Sequence, residues 1–581
     1  MVQNLQALHF VPTITKPTRF PPSNTNGNPS LLDHIWINCL DSYQCGILTT
    51  GVTDHCTTFI RLSLVFRQTE LVKISFRIQS EHNKAKFVRR IQNENWNTTL
   101  ADSIDNSTSS FVTKLNCIFR ECFPLKTKFV FTKRLQKPWL TTGLLKSIKT
   151  KAVYFKLHRL GLIDNEHFKR FKNLLTSLLR KSKRNYYHAL FDLRKNYIKK
   201  TWNTIRDLLS QNSTRKNIRS ILINNVEVTD PEELANKFND YFSTIAIELD
   251  SQIPPSNNSP LCNMAPSRQN SFFIYPVTLA ECIDIISKLK NTSYGINNLP
   301  VKLLKYAKQS LAYPISKLIN KSFEVGHFPA CLKTACVTPV YKAGDSQAIS
   351  NYRPISVLPL LSKIFERCMA NRMLNYIDKY ILLSPNQFGF RRKKSTLDAL
   401  ICLTEYIYNS LNDKSHAVSI LVDLRKAFDT VNHQILLAKL HHYGFRGVAL
   451  NWFRTYLSNR IQTVRIQDKI STPRTLNIGV PQGSILGPLL FLLYINDLPN
   501  VSEFSTILFA DDTTLTTSHQ HYPTLINNIN LELVKIRNWL INNRLSLNID
   551  KTYMMVFTNR SQEVNNDGDL DVKISYPSQP S

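Results

Sequence analysis

The sequence predicts an α+β protein, on three observations. The run Val418-Ser419-Ile420-Leu421-Val422 reads as a buried strand that ends in a carboxylate, Asp423. Two shorter apolar and β-favouring runs, Thr506 to Phe509 and Thr513 to Leu515, flank Ala510-Asp511-Asp512 and read as strands joined at a pair of acids. Between residues 146 and 219 stand 20 Lys/Arg against four Asp/Glu, with Leu174, Leu175, Leu178 and Leu179 at helical intervals, so this region reads as two or three amphipathic basic helices. The 581 residues allow two to four domains, and an apolar fraction of 43% suits folded chain.

Charge and cysteine content narrow the partners. A formal charge of +31 favours a polyanion, because counterions released from nucleic acid drive its binding. An anionic membrane surface is the competing partner, but no membrane span is present: the longest apolar run, Ile485 to Ile495, holds Gly487 and Pro488 and falls short of the roughly 20 residues a bilayer requires. The first thirty residues lack a signal-peptide pattern. Eleven cysteines without a Cys-x-x-Cys pair argue for reduced thiols in an intracellular compartment, not for a disulfide scaffold or a zinc site. His433, His441 and His442 have no cysteine partners at ligand spacing and read as surface or structural residues.

Taken in order, residues 1–66 are rich in turns and contain two strand-like runs, Leu31 to Ile37 and Thr53 to Phe59. Residues 67–250 form a basic, mainly helical connector whose aromatics, among them Tyr154, Phe171, Tyr187 and Trp202, suit either a helical core or contact with nucleic acid. Asp230-Pro231-Glu232-Glu233 predicts a helix start, with Asp as cap and Pro in the first turn, and Leu234, Phe238, Tyr241 and Phe242 give that helix one apolar face. Ser, Pro and Asn crowd residues 251–275, the composition of a linker. Thr278-x-x-Glu281 then predicts a capping box, and Tyr294-Gly295-Ile296-Asn297 a turn.

Paired carboxylates on rigid strands are what hard divalent cations require, and two such ions can clamp the attacking and leaving oxygens of a phosphoryl transfer. Four blocks carry this chemistry in order: Asp423-Leu424-Arg425-Lys426-Ala427-Phe428-Asp429, Gly479-Val480-Pro481-Gln482-Gly483-Ser484, Phe509-Ala510-Asp511-Asp512-Thr513, and Leu545 to Thr552. Together they resemble the palm of reverse transcriptases, in particular those of non-long-terminal-repeat retrotransposons of the jockey type. Asn351 to Ser356 and Gln387 to Arg391 resemble that family's fingers motifs, and the Tyr294 turn its first one, with Asn297 where the family often has aspartate. The resemblance spans residues 276–560 and implies right-hand fingers and palm. The family's primer-grip hairpin and thumb are expected to be missing, since only a polar tail, 561–581, follows.

By the same resemblance, Asp423, Asp511 and Asp512 would hold two Mg2+ ions, or Mn2+ in their place, with Asp423 and Asp511 the principal ligands. Phe428 matches the steric gate that excludes a ribose 2′-hydroxyl, Gln482 the residue beside the templating base and incoming nucleotide, and Arg353 and Lys342 the cations on the triphosphate. Lys551 matches the lysine proposed to protonate pyrophosphate. The implied partners are an RNA template, a DNA primer or target and deoxynucleotides, with action in cytoplasm and nucleus; the alternative is a catalytically inactive nucleic-acid-binding relic. Residues 1–66, with Ile14 to Arg19, look like the last third of an apurinic-type endonuclease domain, in which His55 would polarise the scissile phosphate, Asp54 orient it and Asp33 support them. The metal-binding Glu of that site and its Asn and second Asp have no counterpart here, so nicking is not expected.

Overall fold

The computed structural model describes Leu5, Ile218 and residues 10–21, 27–37, 43–50, 53–62, 71–131, 137–195, 197–208, 220–223, 226–256, 258–267, 269–290 and 299–560. The Tyr294 turn and the 561–581 tail lie outside them. The chain divides into two units, residues 1–76 with 126–216 and residues 77–125 with 217–581.

In the first unit the two strand-like runs of the sequence become shorter or shifted elements. Only Trp36–Ile37 of the first is a strand, paired with Val11–Pro12, and the second is realised as Thr57–Leu62, antiparallel to Tyr43–Leu48. The basic stretch folds as three helices, Thr142–Arg159, Asn165–Arg194 and Ile198–Leu208. Its apolar face is divided: Leu175 and Tyr187 are buried, whereas Leu174 and Leu178 are exposed. Trp139 packs on Tyr186 and Tyr187 with ring centroids 6.2 and 5.5 Å away, and Lys137 and Lys183 lie over its ring.

The second unit is built on one large apolar cluster that runs from Phe87 to Leu547. Part of the predicted connector belongs to it. Helices Glu81–Gln92 and Ile104–Cys122 place Phe87, Ile91, Phe111 and Phe119 in this cluster, and Asp105 fastens them by accepting from Ala330 N (2.7 Å) and bonding His327 (3.0 Å). The Ser/Pro/Asn-rich segment is docked, not loose: Phe272 N donates to Gly444 O (2.9 Å), and Arg544 reaches Ile253 O (3.1 Å). Backbone groups and isolated anchors such as Phe272, packed on Tyr376 and Phe445, hold it without a side-chain period, which is why composition alone reads as linker.

The elements that frame the site are helix α1 (Pro231–Ser251), strands β1 (Thr334–Tyr341) and β2 (Tyr352–Val357), helix α2 (Leu360–Lys379), strands β3 (His416–Val422) and β4 (Arg460–Ile466), helix α3 (Leu486–Tyr494), and strands β5 (Ser505–Phe509), β6 (Asp512–His519) and β7 (Tyr553–Phe557). One sheet joins β1 to β2 antiparallel and to β4 parallel; α1 covers it with Phe238 and Leu234. The other runs β5-β6-β3-β7, with Val422 opposite Thr513 and Leu421 opposite Tyr553. As the sequence predicts, Asp230 caps α1, accepting from Glu232 N and Glu233 N at 3.0 and 2.9 Å. The capping box at Thr278 forms by half: Thr278 accepts from Glu281 N (3.1 Å), but the Glu281 carboxylate turns to the buried Arg372, because a guanidinium in the core needs a carboxylate more than an exposed amide does.

The longest apolar run is the short helix α3, every residue of which except Pro488 is buried. Its N-terminus is held by Glu366 of α2, which accepts from Ile485 N (2.6 Å) and Leu486 N (3.3 Å). Among the described residues no helix is long and apolar enough to cross a membrane, and each cysteine is a free thiol. Behind α3, Lys439 donates to Asp497 (2.6 Å) and to Tyr494 O (2.6 Å), while Trp539 Nε1 donates to the other Asp497 oxygen (2.8 Å). Removing one side of such a buried pair strands the other charge. Asp497→Ala is therefore expected to destabilise this unit by about 3–5 kcal/mol in denaturant unfolding; a loss under about 1 kcal/mol would show that the pair is not structural.

Candidate active site

The acidic turn is assembled from two distant segments. Strands β5 and β6 pair down to Phe509 opposite Asp512, which leaves Ala510 and Asp511 as the connection. Ala510 has φ +59°, a left-handed conformation that costs a residue with a Cβ roughly 1–2 kcal/mol. It is braced from outside. Gln387, 1% exposed, accepts from Ala510 N (3.1 Å) and Gly389 N (2.7 Å), while Leu508 N donates to Asn386 O (2.9 Å) and Phe388 N to Leu508 O (2.8 Å). A Cβ on Gly389 would sit 2.2 Å from Ala510 N, so the Gln387-Phe388-Gly389 run can lie against the turn only because it holds glycine. Sequence reading quotes this motif without seeing its task; a Gln-x-Gly set among apolar residues is the signal that was available.

Three carboxylates meet at this end of the sheet. Continuing the β3–β6 register one step past Val422 and Thr513 puts Asp423 across from Asp512. Asn548 Nδ2 donates to Asp423 Oδ2 (2.5 Å) and Asn548 N to Asp423 O (2.8 Å), so the last block anchors the first acid. Asp511 is held above the usual carboxylate range, first by burial and then by the charges of Asp512 and Asp423, with Arg353 opposing. Among the described residues no three His, Cys, Asp or Glu side chains form a ready-made metal cage. Magnesium does not require one, since it keeps several waters and is usually held by one or two carboxylates plus substrate phosphates. The donor set is all hard oxygen and fits such an ion.

Cations stand beside the acids. Lys426, at φ +49° in the turn after β3, has its pKa lowered by burial, and by the charges of Lys342, Arg353 and Lys551, while Asp429 raises it. Lys342, Arg353 and Lys551 are exposed, and all three predicted cations lie close enough to Lys426 for their charges to act on it. Lys426 was not singled out from the sequence. Its Nζ lies 5.7 Å from the ring centre of Tyr241 on α1, a partner no sequence motif connects to it.

Comparison with known proteins bears on this arrangement. Residues 340–571 match the family described as "Reverse transcriptase (RNA-dependent DNA polymerase)". That segment is a reverse transcriptase domain. Similar proteins include the probable RNA-directed DNA polymerase from transposon BS of Drosophila melanogaster, 32% identical over 46% of this chain and 30% of the relative. The RNA-directed DNA polymerase from mobile element jockey of the same fly is 29% identical over 54% and 36%. A retrovirus-related Pol polyprotein from the type-1 retrotransposable element R2 of Popillia japonica is 30% identical over 30% and 24%. The chain spans about a third of the length of the first two relatives.

Within the reverse transcriptase domain, Phe428 is half-buried, stacked on Phe491 of α3 (4.6 Å, 26°) and edge-on to Phe390 (6.5 Å). Gln482 is engaged: its Nε2 donates to Oδ1 and Oδ2 of Asp429, both at 2.9 Å, and its carbonyl accepts from Ser356 N of β2 (2.8 Å). Gly483, at φ +108°, would place a Cβ 2.7 Å from Ser356 O. His433 is structural, its Nε2 donating to Gly479 O (2.7 Å) with its pKa lowered by burial.

The three N-terminal candidates belong to the other unit. His55 Nδ1 bonds Asp33 (3.0 Å), whereas Asp54 is salt-bridged to Arg19 (2.6 Å). Each pairing lowers its carboxyl pKa. Asp54 is thus occupied by a cation of its own unit, a partner that spacing does not reveal.

Because backbone, not a flexible side chain, faces Gly389, Gly389→Ala is expected to destabilise the reverse transcriptase domain by about 1–3 kcal/mol, read by urea unfolding. An unchanged midpoint would show that the segment can move off the turn.

Proposed function

We propose that the chain is an RNA-directed DNA polymerase of a non-long-terminal-repeat retrotransposon, extending a DNA 3′ end with deoxynucleotides on an RNA template. The observation that carries this reading is the meeting of Asp423, Asp511 and Asp512 with Lys342, Arg353, Lys426 and Lys551 inside a segment matched to reverse transcriptases. In this reading the β5-β6-β3-β7 sheet is the palm, and the β1–β2 pair belongs to the fingers.

Asp423 and Asp511, with Asp512 beside them, are the residues that would hold two magnesium ions. Bound there, the metal would favour ionisation of the primer 3′-hydroxyl and neutralise the triphosphate. Arg353 and Lys342 would engage the triphosphate oxygens, a guanidinium through two donors, and Lys426 would add charge from the palm side. Lys551 would donate a proton to departing pyrophosphate. Phe428, backed by Phe491, would stand under the sugar as a wall that leaves no room for a 2′-hydroxyl. The RNA and DNA strands are polyanions, to which a charge of +31 is suited. The competing reading, an inactive relic, has no comparable support in the site.

Purified protein is expected to extend a primed RNA template with Mg2+, and Asp511→Asn to reduce extension by about 10²-fold or more. Extension that survives the substitution would refute the assignment of the acids. Replacing Phe428 by Val is expected to admit ribonucleotides while deoxynucleotide incorporation persists, as measured by competition between the two; equal rejection by parent and variant would return Phe428 to a packing role.

A further inference from the structure

The amide of Gln482 is not free to turn. Its nitrogen faces both oxygens of Asp429, at 2.9 Å each, and an ionised carboxylate only accepts hydrogen bonds, so the amide oxygen is directed away from it. Among the described residues no group donates to Gln482 Oε1. The loop that carries Gln482 is pinned to the turn that carries Asp429. Gly479 N donates to Val431 O and Val480 N to Phe428 O, both at 2.8 Å, and a Cβ on Gly479 would lie 2.5 Å from Asp429 O. On its other side Gln482 O is tied to β2 through Ser356 N. Phe428, Asp429 and Gln482 therefore move as one body.

Asp429 opens on a narrow cleft shared with His433, Arg460 and Ala246 of α1. Lys426 is the cation that bears on it, and Tyr241 of α1 feels its charge. Burial pushes the Asp429 carboxyl up to about 6, with Gln482 and Lys426 opposing, so it is ionised at neutral pH and can gain a proton only in mild acid.

We propose that Asp429 is a positioning residue of the polymerase site: it locks the Gln482 amide in one orientation, so that its oxygen is presented to an incoming nucleotide as a hydrogen-bond acceptor at a fixed point. The site then favours a nucleotide that brings a hydroxyl or amino donor to that point. This rests on the polymerase reading.

Asp429→Asn keeps the shape but supplies an amide that both donates and accepts, so either orientation of Gln482 becomes available. In primer extension by the full chain, the KM for deoxynucleotide is expected to rise roughly five- to tenfold with kcat little changed. Gln482→Ala is expected to do the same, and the double variant to be no worse than either single one; additive losses would overturn the coupling. A second measurement does not depend on turnover. In protein labelled with 15N in glutamine side chains, the Nε2 signal identified by its loss in Gln482→Met is expected to shift with a midpoint at about pH 6 in the parent and to stay fixed in Asp429→Asn. A parent signal that does not titrate would overturn the lock. Titration without any extension by the parent would overturn the polymerase reading, and with it the role in nucleotide selection, while leaving the lock in place.

Discussion

The constraint on which the rest depends is the external support of one strained residue. A hairpin that turns in two residues must put backbone into the left-handed region, and here Ala510 does so without glycine's freedom. The strain persists because Gln387 accepts from Ala510 N in a buried setting, where leaving that bond unmade would cost more than the strain itself. Glycine at 389 is the corollary, since only a missing Cβ lets the supporting segment come this close. The acids owe their position to this brace as much as to their own strands.

The charges around the turn are mutually unfavourable as they stand. Burial first, and then the neighbouring carboxylates, hold Asp511 above its ordinary range, and burial first, and then the neighbouring cations, depress Lys426. Each set raises the free energy of the other members of its own sign, and each is relieved by a ligand of opposite sign. On the proposed reading, a metal–triphosphate would carry both signs in one molecule and relieve both sets at once. Beside them α3 is buried and held at its N-terminus by Glu366, and Phe428 stacks on its Phe491.

The unit extends well beyond residues 340–571, the segment matched to the reverse transcriptase family. Residues 81–122 contribute Phe87 and Phe111 to its main core, and α1 seats Phe238 against Tyr352 of β2 and Tyr241 beside Lys426. These are packing contributions of ordinary apolar residues, so their absence from the catalytic blocks says nothing of their weight. A 581-residue chain can spread one core over segments hundreds of positions apart because closing a longer loop adds little entropy cost.

Much of the site was legible in the sequence because its residues have few alternatives. A carboxylate at the end of a buried strand, a pair of acids at a turn and a cap such as Asp230 are local demands of chemistry, and they appear where periodicity and residue type place them. Composition, by contrast, divided connector and linker from the body of the protein, whereas the structure docks residues 251–272 and absorbs residues 81–122. It likewise gave no hint that Glu281 would leave its capping role for Arg372, or that Asp429 would claim the amide of Gln482. Those outcomes belong to tertiary structure for one reason. A side chain with several acceptable partners takes the one that burial makes most costly to leave unpaired, and which groups are buried together is a property of the folded chain, not of any window of sequence.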